Sequence, residues 1–162
     1  MDVLALAIGF EEKLEAFYLE QATAHQNSGL AHVFQLLARE ERKHAELLRK
    51  HASKLANLSI ENHDLLSEVK QLFDDMNHVH SSIKVNLEQL DVYRFAQQQE
   101  TDSIEAYEKL LQEASGDEEK EIFYYLIEEE KKHYSILEQI IEFVSRPEDW
   151  VEDAEFGLRK EY

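Results

Sequence analysis

The chain has 162 residues, a formal net charge of −18 and no cysteine. The length suits one domain with a single core, and an acidic chain without basic stretches argues against nucleic-acid binding. The lack of cysteine excludes disulfides, iron–sulfur clusters and thiolate zinc sites. Because only four glycines and one proline, at position 147, could interrupt helices, we predict an all-α protein.

No segment has the pattern of an export signal or a membrane span. Asp2 stands where a signal peptide carries positive charge, and Glu11 and Glu12 interrupt the apolar residues that follow. No run of about 18 apolar residues is present, which is the length a membrane helix needs. We therefore expect a soluble, cytoplasmic protein with no membrane partner.

Two amphipathic helices are predicted in the first part of the chain. The first covers about residues 2–25 and has apolar residues at helical spacing. These are Val3, Ala7, Leu14, Tyr18 and Ala22. The segment 27–29, Asn-Ser-Gly, is typical of a turn. The second helix then covers about residues 30–55.

The second part of the chain predicts a crossover and two more helices. A short amphipathic helix within 57–86 would join the halves. Asn86 and Gln89 fit a capping box that starts a third helix, which runs to about residue 114. After a break at 115–117, Asp117 is a candidate N-cap for a fourth helix to about residue 144, and Pro147 stops it.

These elements define a bundle over residues 1–145 and a tail over residues 146–162. The tail carries several apolar side chains, and we expect it to dock on the bundle or on a neighbouring subunit. They are Trp150, Val151, Phe156 and Tyr162.

The two halves of the chain repeat at an offset of 89 residues. The matched pairs are Glu11 with Glu100, Tyr18 with Tyr107, Glu41 with Glu130 and His44 with His133. Each half thus contributes a Glu, a Tyr seven residues later and a Glu-x-x-His motif. This is the ligand inventory of a carboxylate-bridged dimetal site inside a helical bundle.

Six of these residues fall on the apolar stripes and are predicted to point into the core. They are Glu11, Glu41, His44, Glu100, Glu130 and His133. Four unpaired carboxylates would be costly to bury, and no Lys or Arg lies on those stripes. Two divalent cations would balance four ionised carboxylates and two neutral imidazoles. Oxygen and imidazole donors favour two Fe ions, with Mn or Zn possible.

The neighbouring polar residues allow more than one interpretation. Tyr18 and Tyr107 could each donate a hydrogen bond to a ligating carboxylate, or could be core tyrosines bonded to water or backbone. Glu40 and Glu129 precede the motif histidines by four residues and fall off the stripe, which makes them rim residues. His51 is expected at the end of the bundle, and His25 at the surface.

These motifs resemble those of the ferritin-like superfamily, and within it the rubrerythrin-like proteins. Glu-x6-Tyr in the first and third helices is similar to that family's pattern, as are Glu-Glu-Arg-Lys-His at 40–44 and Glu-Glu-Lys-Lys-His at 129–133. The resemblance covers residues 1–145 and implies a ferritin-like bundle with the six residues as di-iron ligands. It also implies that the iron pair reduces hydrogen peroxide or oxidises ferrous iron.

The chain departs from rubrerythrins in two respects. It has no cysteine and hence no rubredoxin module, so turnover would need an external electron donor such as a rubredoxin or a reductase. Ser103 stands where rubrerythrins carry a further carboxylate one turn beyond the third-helix Glu, with Asp102 beside it. The resemblance is therefore closer to stand-alone rubrerythrin-like proteins.

Three functions fit this reading of the sequence. The first is a rubrerythrin-like di-iron protein that reduces hydrogen peroxide, with Tyr18 and Tyr107 tuning the site. The alternatives are a ferroxidase or iron-binding protein that uses O₂, and a bundle that keeps its metal for stability alone. A homodimer is expected by analogy with the family and from the aromatic side chains of the tail.

Overall fold

The computed structural model describes residues 3–27, 29–55, 71 and 89–145, and over these residues the predicted all-α fold is confirmed. Five helices are present in the described part of the chain. They are α1 (Val3–Ala24), α2 (Gly29–Lys50), the short α3 (Ala52–Leu55), α4 (Gln89–Glu113) and α5 (Asp117–Ser145). The four long helices form a bundle in which α1 packs along α2 and α4 packs along α5.

Among the helix ends that the structure describes, two differ from the prediction. The second helix stops at Lys50 rather than near residue 55, and His51 separates it from α3. At the start of α5, the Gly116 carbonyl accepts the amide of Lys120 at 3.1 Å. The capping position is therefore Gly116, one residue before the predicted Asp117. Asp117 instead lies in the first turn, where a carboxylate is favoured by the helix dipole.

The core lies between the two helix pairs and is rich in aromatic rings. Tyr18 stacks on Phe34 with ring centroids 6.2 Å apart, and Tyr107 stacks on Phe123 at the same 6.2 Å. These pairs are related by the 89-residue offset, so the sequence repeat is also a repeat in packing. The apolar stripes predicted too narrow a core, because they omitted several fully or nearly fully buried aromatics. These are Phe10, Phe17, Phe34 and Tyr93.

The predicted crossover helix, the capping box at Asn86, the stop at Pro147 and the tail over 146–162 lie outside the described residues. None of the helices in the described segments combines the length and apolar character that would let it cross a membrane.

Candidate metal centre

The six polar residues predicted to face the core converge in the middle of the bundle. Five of them have no exposed surface, and His133 is 3 % exposed. Their donor atoms form two groups, each with all atoms within 4.8 Å of one another. One group is Glu11, Glu41, His44 and Glu130, and the other is Glu41, Glu100, Glu130 and His133. Because the groups share Glu41 and Glu130, these two carboxylates are placed to bridge a pair of ions.

Each histidine contacts a carboxylate from the opposite half of the chain. His44 Nδ1 lies 2.8 Å from Glu130 Oε1, and His133 Nδ1 lies 2.7 Å from Glu41 Oε1. The two imidazole rings are nearly parallel, with centroids 5.4 Å apart and planes inclined by 13°. The contacts hold the two Glu-x-x-His motifs face to face across α2 and α5.

The two tyrosines also donate across the repeat. The Tyr18 hydroxyl donates to Glu100 Oε1 at 2.7 Å, and the Tyr107 hydroxyl donates to Glu11 Oε1 at 2.6 Å. Both tyrosines are fully buried. Their partners are therefore carboxylates of the site rather than water or backbone. The repeat offset could not show that each partner lies in the other half, because that depends on how α1 and α4 face one another.

Burial and mutual repulsion divide the four carboxyls into two kinds. Loss of solvation, reinforced by the charges of Glu130 and Glu41, raises the pKa of Glu11 and of Glu100 well above the usual range. Burial would also raise the pKa of Glu41 and Glu130. The imidazolium groups beside them more than compensate, and lower the pKa of Glu41 to about 2 and that of Glu130 well below its usual range.

The histidines complete this charge balance. Burial alone would lower the pKa of His44 and His133, but the carboxylates in contact with them raise both pKa values far above the usual range. Without metal, these shifts favour imidazolium at His44 and His133, carboxylate at Glu41 and Glu130, and the protonated carboxyl at Glu11 and Glu100. Four protons balance the site, and two divalent cations would supply the same positive charge.

Unused donor atoms show that the residues fit such a pair of ions. In each of the four glutamates, the tyrosine and histidine contacts described above end on Oε1 and leave the buried second oxygen, Oε2, for another partner. Buried polar atoms without partners are costly. Metal ions bound between the two halves would satisfy these oxygens, and the all-oxygen and imidazole donor set suits iron or manganese.

Two more buried polar side chains lie beside Glu100 on α4. Ser103, one turn further along, has no exposed surface, and Gln99 is 4 % exposed. Ser103 Oγ and Gln99 Oε1 have no hydrogen-bond partner among the described residues. Asp102 does not take the place of a core carboxylate, because its Oδ1 accepts a hydrogen bond from Gln98 at 2.9 Å on the exposed side.

Gln99 was missed by the sequence reasoning, although the repeat contains a signal for it. At the 89-residue offset, Gln99 matches Phe10 and Ser103 matches Leu14. Both first-half residues are fully buried and apolar. Where a polar residue in one half of the chain matches a buried apolar residue in the other half, the two sides of the site differ.

The glutamates predicted at the rim are partly exposed, as expected, and each is paired with a lysine three residues later. Glu40 lies 3.2 Å from Lys43 Nζ, and Glu129 lies 3.0 Å from Lys132 Nζ. Glu129 is nevertheless closer to the site than a rim residue need be. One of its oxygens lies within 4.8 Å of a ring nitrogen of both His44 and His133.

Of the remaining histidines, His51 is half-buried at the end of α2, and it lines a cavity of about 480 Å³ with Leu47, Glu118 and Tyr125. His25, expected at the surface, is partly buried. Its ring packs against Phe34 and Tyr93, with centroids 5.4 and 5.7 Å apart. The sequence of α1 could not show these contacts, because the two rings belong to other helices.

A comparison with protein families gave a match that spans most of the chain. The Rubrerythrin family model matches residues 2–141, which includes all six donors and both tyrosines. No curated protein and no solved structure gave a significant match to the chain.

Proposed function

We propose that the chain, which belongs to the rubrerythrin family, is a non-haem di-iron protein and that it reduces hydrogen peroxide. The observation that carries the proposal is the set of six buried donors in two groups joined by Glu41 and Glu130. Apolar packing alone does not account for four carboxyl groups in the core, because burying a carboxylate without a partner destabilises the fold.

The proposed ligands are Glu11 and His44 for one iron, Glu100 and His133 for the other, and Glu41 and Glu130 for both. When bound, the ferrous pair would supply the two electrons that, with two protons, convert one H₂O₂ into two waters. The protein's own part is to hold the donors in place. Tyr18 and Tyr107 orient Glu100 and Glu11 through their hydrogen bonds.

The burial of the donors bears on which oxidants can react. Every ligand is 3 % exposed or less, so only a small oxidant such as H₂O₂ or O₂ can approach the ions. A bulky reductant cannot touch them. We therefore propose that electrons come from an external donor such as a rubredoxin or a reductase, at the bundle surface. The homodimer and the cytoplasmic location also stay predictions.

The test is the anaerobic reaction of the diferrous protein with one equivalent of H₂O₂ and, separately, of O₂. We expect two irons per chain and oxidation by H₂O₂ at least tenfold faster than by O₂. The reaction is monitored by near-ultraviolet absorbance. Faster oxidation by O₂, with many irons taken up per chain, would indicate a ferroxidase instead. Full occupancy by Zn with no redox response would indicate a structural metal site.

A further inference from the structure

The proposed ligands are sealed from solvent, which raises the question of how ions reach them. Five of the six have no exposed surface, and His133 retains 3 %. A hydrated divalent cation exchanges its water for protein donors one at a time, so a path that offers donors between solvent and the buried carboxylates favours loading. The side where His133 is exposed is the place to search for such donors.

Glu129 lies between the solvent and this side of the site. Its side chain is 16 % exposed and is paired with Lys132, which is 68 % exposed. A carboxylate oxygen of the same residue lies within 4.8 Å of ring nitrogens of both His44 and His133. Glu129 thus contacts a solvated lysine at one end and approaches both histidines of the site at the other.

His44 has a second ring nitrogen that could bind the same ion as this carboxylate. Nδ1 of His44 faces the carboxylates of the core, whereas its Nε2 is buried and has no hydrogen-bond partner among the described residues. Donors around one ion, at about 2.1 Å from it, lie no more than roughly 4 Å apart. A separation of up to 4.8 Å is close to that limit, so small side-chain shifts would let one cation contact all three residues.

We propose that Glu129, with His44 and His133, forms an outer position where a divalent cation binds briefly before it passes to the buried carboxylates. The ion pair with Lys132 keeps the carboxylate at the surface between loading events. Because such exposed pairs contribute little stability, an arriving cation can displace the lysine. The proposal rests on the dimetal site of the proposed function and adds the side from which that site is filled.

The repeat supplies a matched control for this proposal. Glu40 occupies the equivalent position in the first half and has an equivalent lysine partner, Lys43, at 3.2 Å. In the described part of the chain, however, Glu40 belongs to no group of candidate metal donors. Glu40→Gln and Glu129→Gln remove the same charge from equivalent places, and only the second removes a donor near the histidines.

The experiment mixes metal-free protein rapidly with Co²⁺ and follows the visible absorbance of the bound ion. We expect Glu129→Gln to load at least tenfold more slowly than the unsubstituted protein, and Glu40→Gln to load within twofold of it. Both variants should reach two ions per chain at equilibrium. Equal rates in all three proteins, or equal slowing in both variants, would overturn the proposal.

Two further outcomes separate this proposal from the proposed function. If Glu129→Gln binds fewer ions at equilibrium, Glu129 is a permanent ligand and the loading role is wrong. If the unsubstituted protein binds no metal, the dimetal site itself is wrong. A second pair of variants tests the same idea from the lysine side: Lys132→Gln should load severalfold faster than Lys131→Gln, whose lysine pairs with Glu128 at 3.5 Å. Equal rates in these two variants would also contradict the proposal.

Discussion

The first helix pair, α1 and α2, and the second, α4 and α5, are alike at the centre of the molecule and different around it. The tyrosine–carboxylate bonds are 2.7 and 2.6 Å long, and the histidine–carboxylate contacts are 2.8 and 2.7 Å long. Next to Glu11 and Glu100, Phe10 of the first pair is matched by the polar Gln99 of the second. One turn further along, Leu14 is matched by the polar Ser103.

This difference distinguishes the residues that a pair of ions would require from the residues around them that can vary between the two halves. A pair of ions that share two carboxylates requires equivalent donors from both halves, so those positions match. Side chains that do not bind an ion are free to differ. The buried polar atoms on α4 and the carboxylate of Glu129 give the second pair a more polar approach to the site than the first.

The largest expected effect comes from either shared carboxylate. Because Glu41 and Glu130 each belong to both donor groups, Glu41→Ala and Glu130→Ala should each reduce the metal content from two ions per chain to none. Measurement of metal by mass spectrometry after reconstitution checks this. Glu40→Ala, next in sequence to a shared ligand, is the control and should keep both ions. Two ions in both ligand variants would refute the assignment.

Metal binding should release protons. The pKa values of His44, His133, Glu11 and Glu100 are all raised, which favours the protonated form of each, and an ion must displace these protons. Metal binding should therefore weaken as the pH falls, because protons then compete better for these groups. Calorimetry in buffers of different ionisation enthalpy should show proton release, up to four protons per pair of ions. Binding without proton release would contradict the charge balance described above.

The two tyrosines provide a direct test of the symmetry. Tyr18→Phe and Tyr107→Phe each remove one buried hydrogen bond to a carboxyl group, which should lower the free energy of unfolding by about 1–3 kcal/mol. Denaturation of the metal-free variants measures it. Because the two bonds are nearly equal in length, the two losses should be similar. A large loss in one variant and none in the other would show that the halves are not equivalent.

The smallest effect is expected where the halves differ. Ser103→Ala removes a buried hydroxyl without a hydrogen-bond partner among the described residues, so it should leave the metal-free protein equally stable or stabilise it by up to about 1 kcal/mol. Thermal unfolding measures this. Leu14→Ala at the equivalent position should instead destabilise the protein by about 2–5 kcal/mol, since it opens a cavity in the core. A marked loss of stability in Ser103→Ala would reveal a partner for the hydroxyl.

The sequence alone predicted the centre of the molecule better than its surroundings. Helical periodicity and the 89-residue offset predicted that Glu11 and Glu100 point into the core, and both have no exposed surface. Periodicity describes one helix at a time, however. It could not show that Tyr18 bonds Glu100 rather than a group of its own half, or that Glu129 approaches two histidines, because both depend on how helices face one another.

The most direct test of the account is the number of metal ions bound per chain. The 162-residue chain, stripped of metal and reconstituted anaerobically with Fe²⁺, should bind two ions per chain. Two ferric ions should form after reaction with H₂O₂. A chain that binds no metal, yet folds and keeps the six donors buried, would contradict the central claim. The four carboxylates would then be balanced by protons alone.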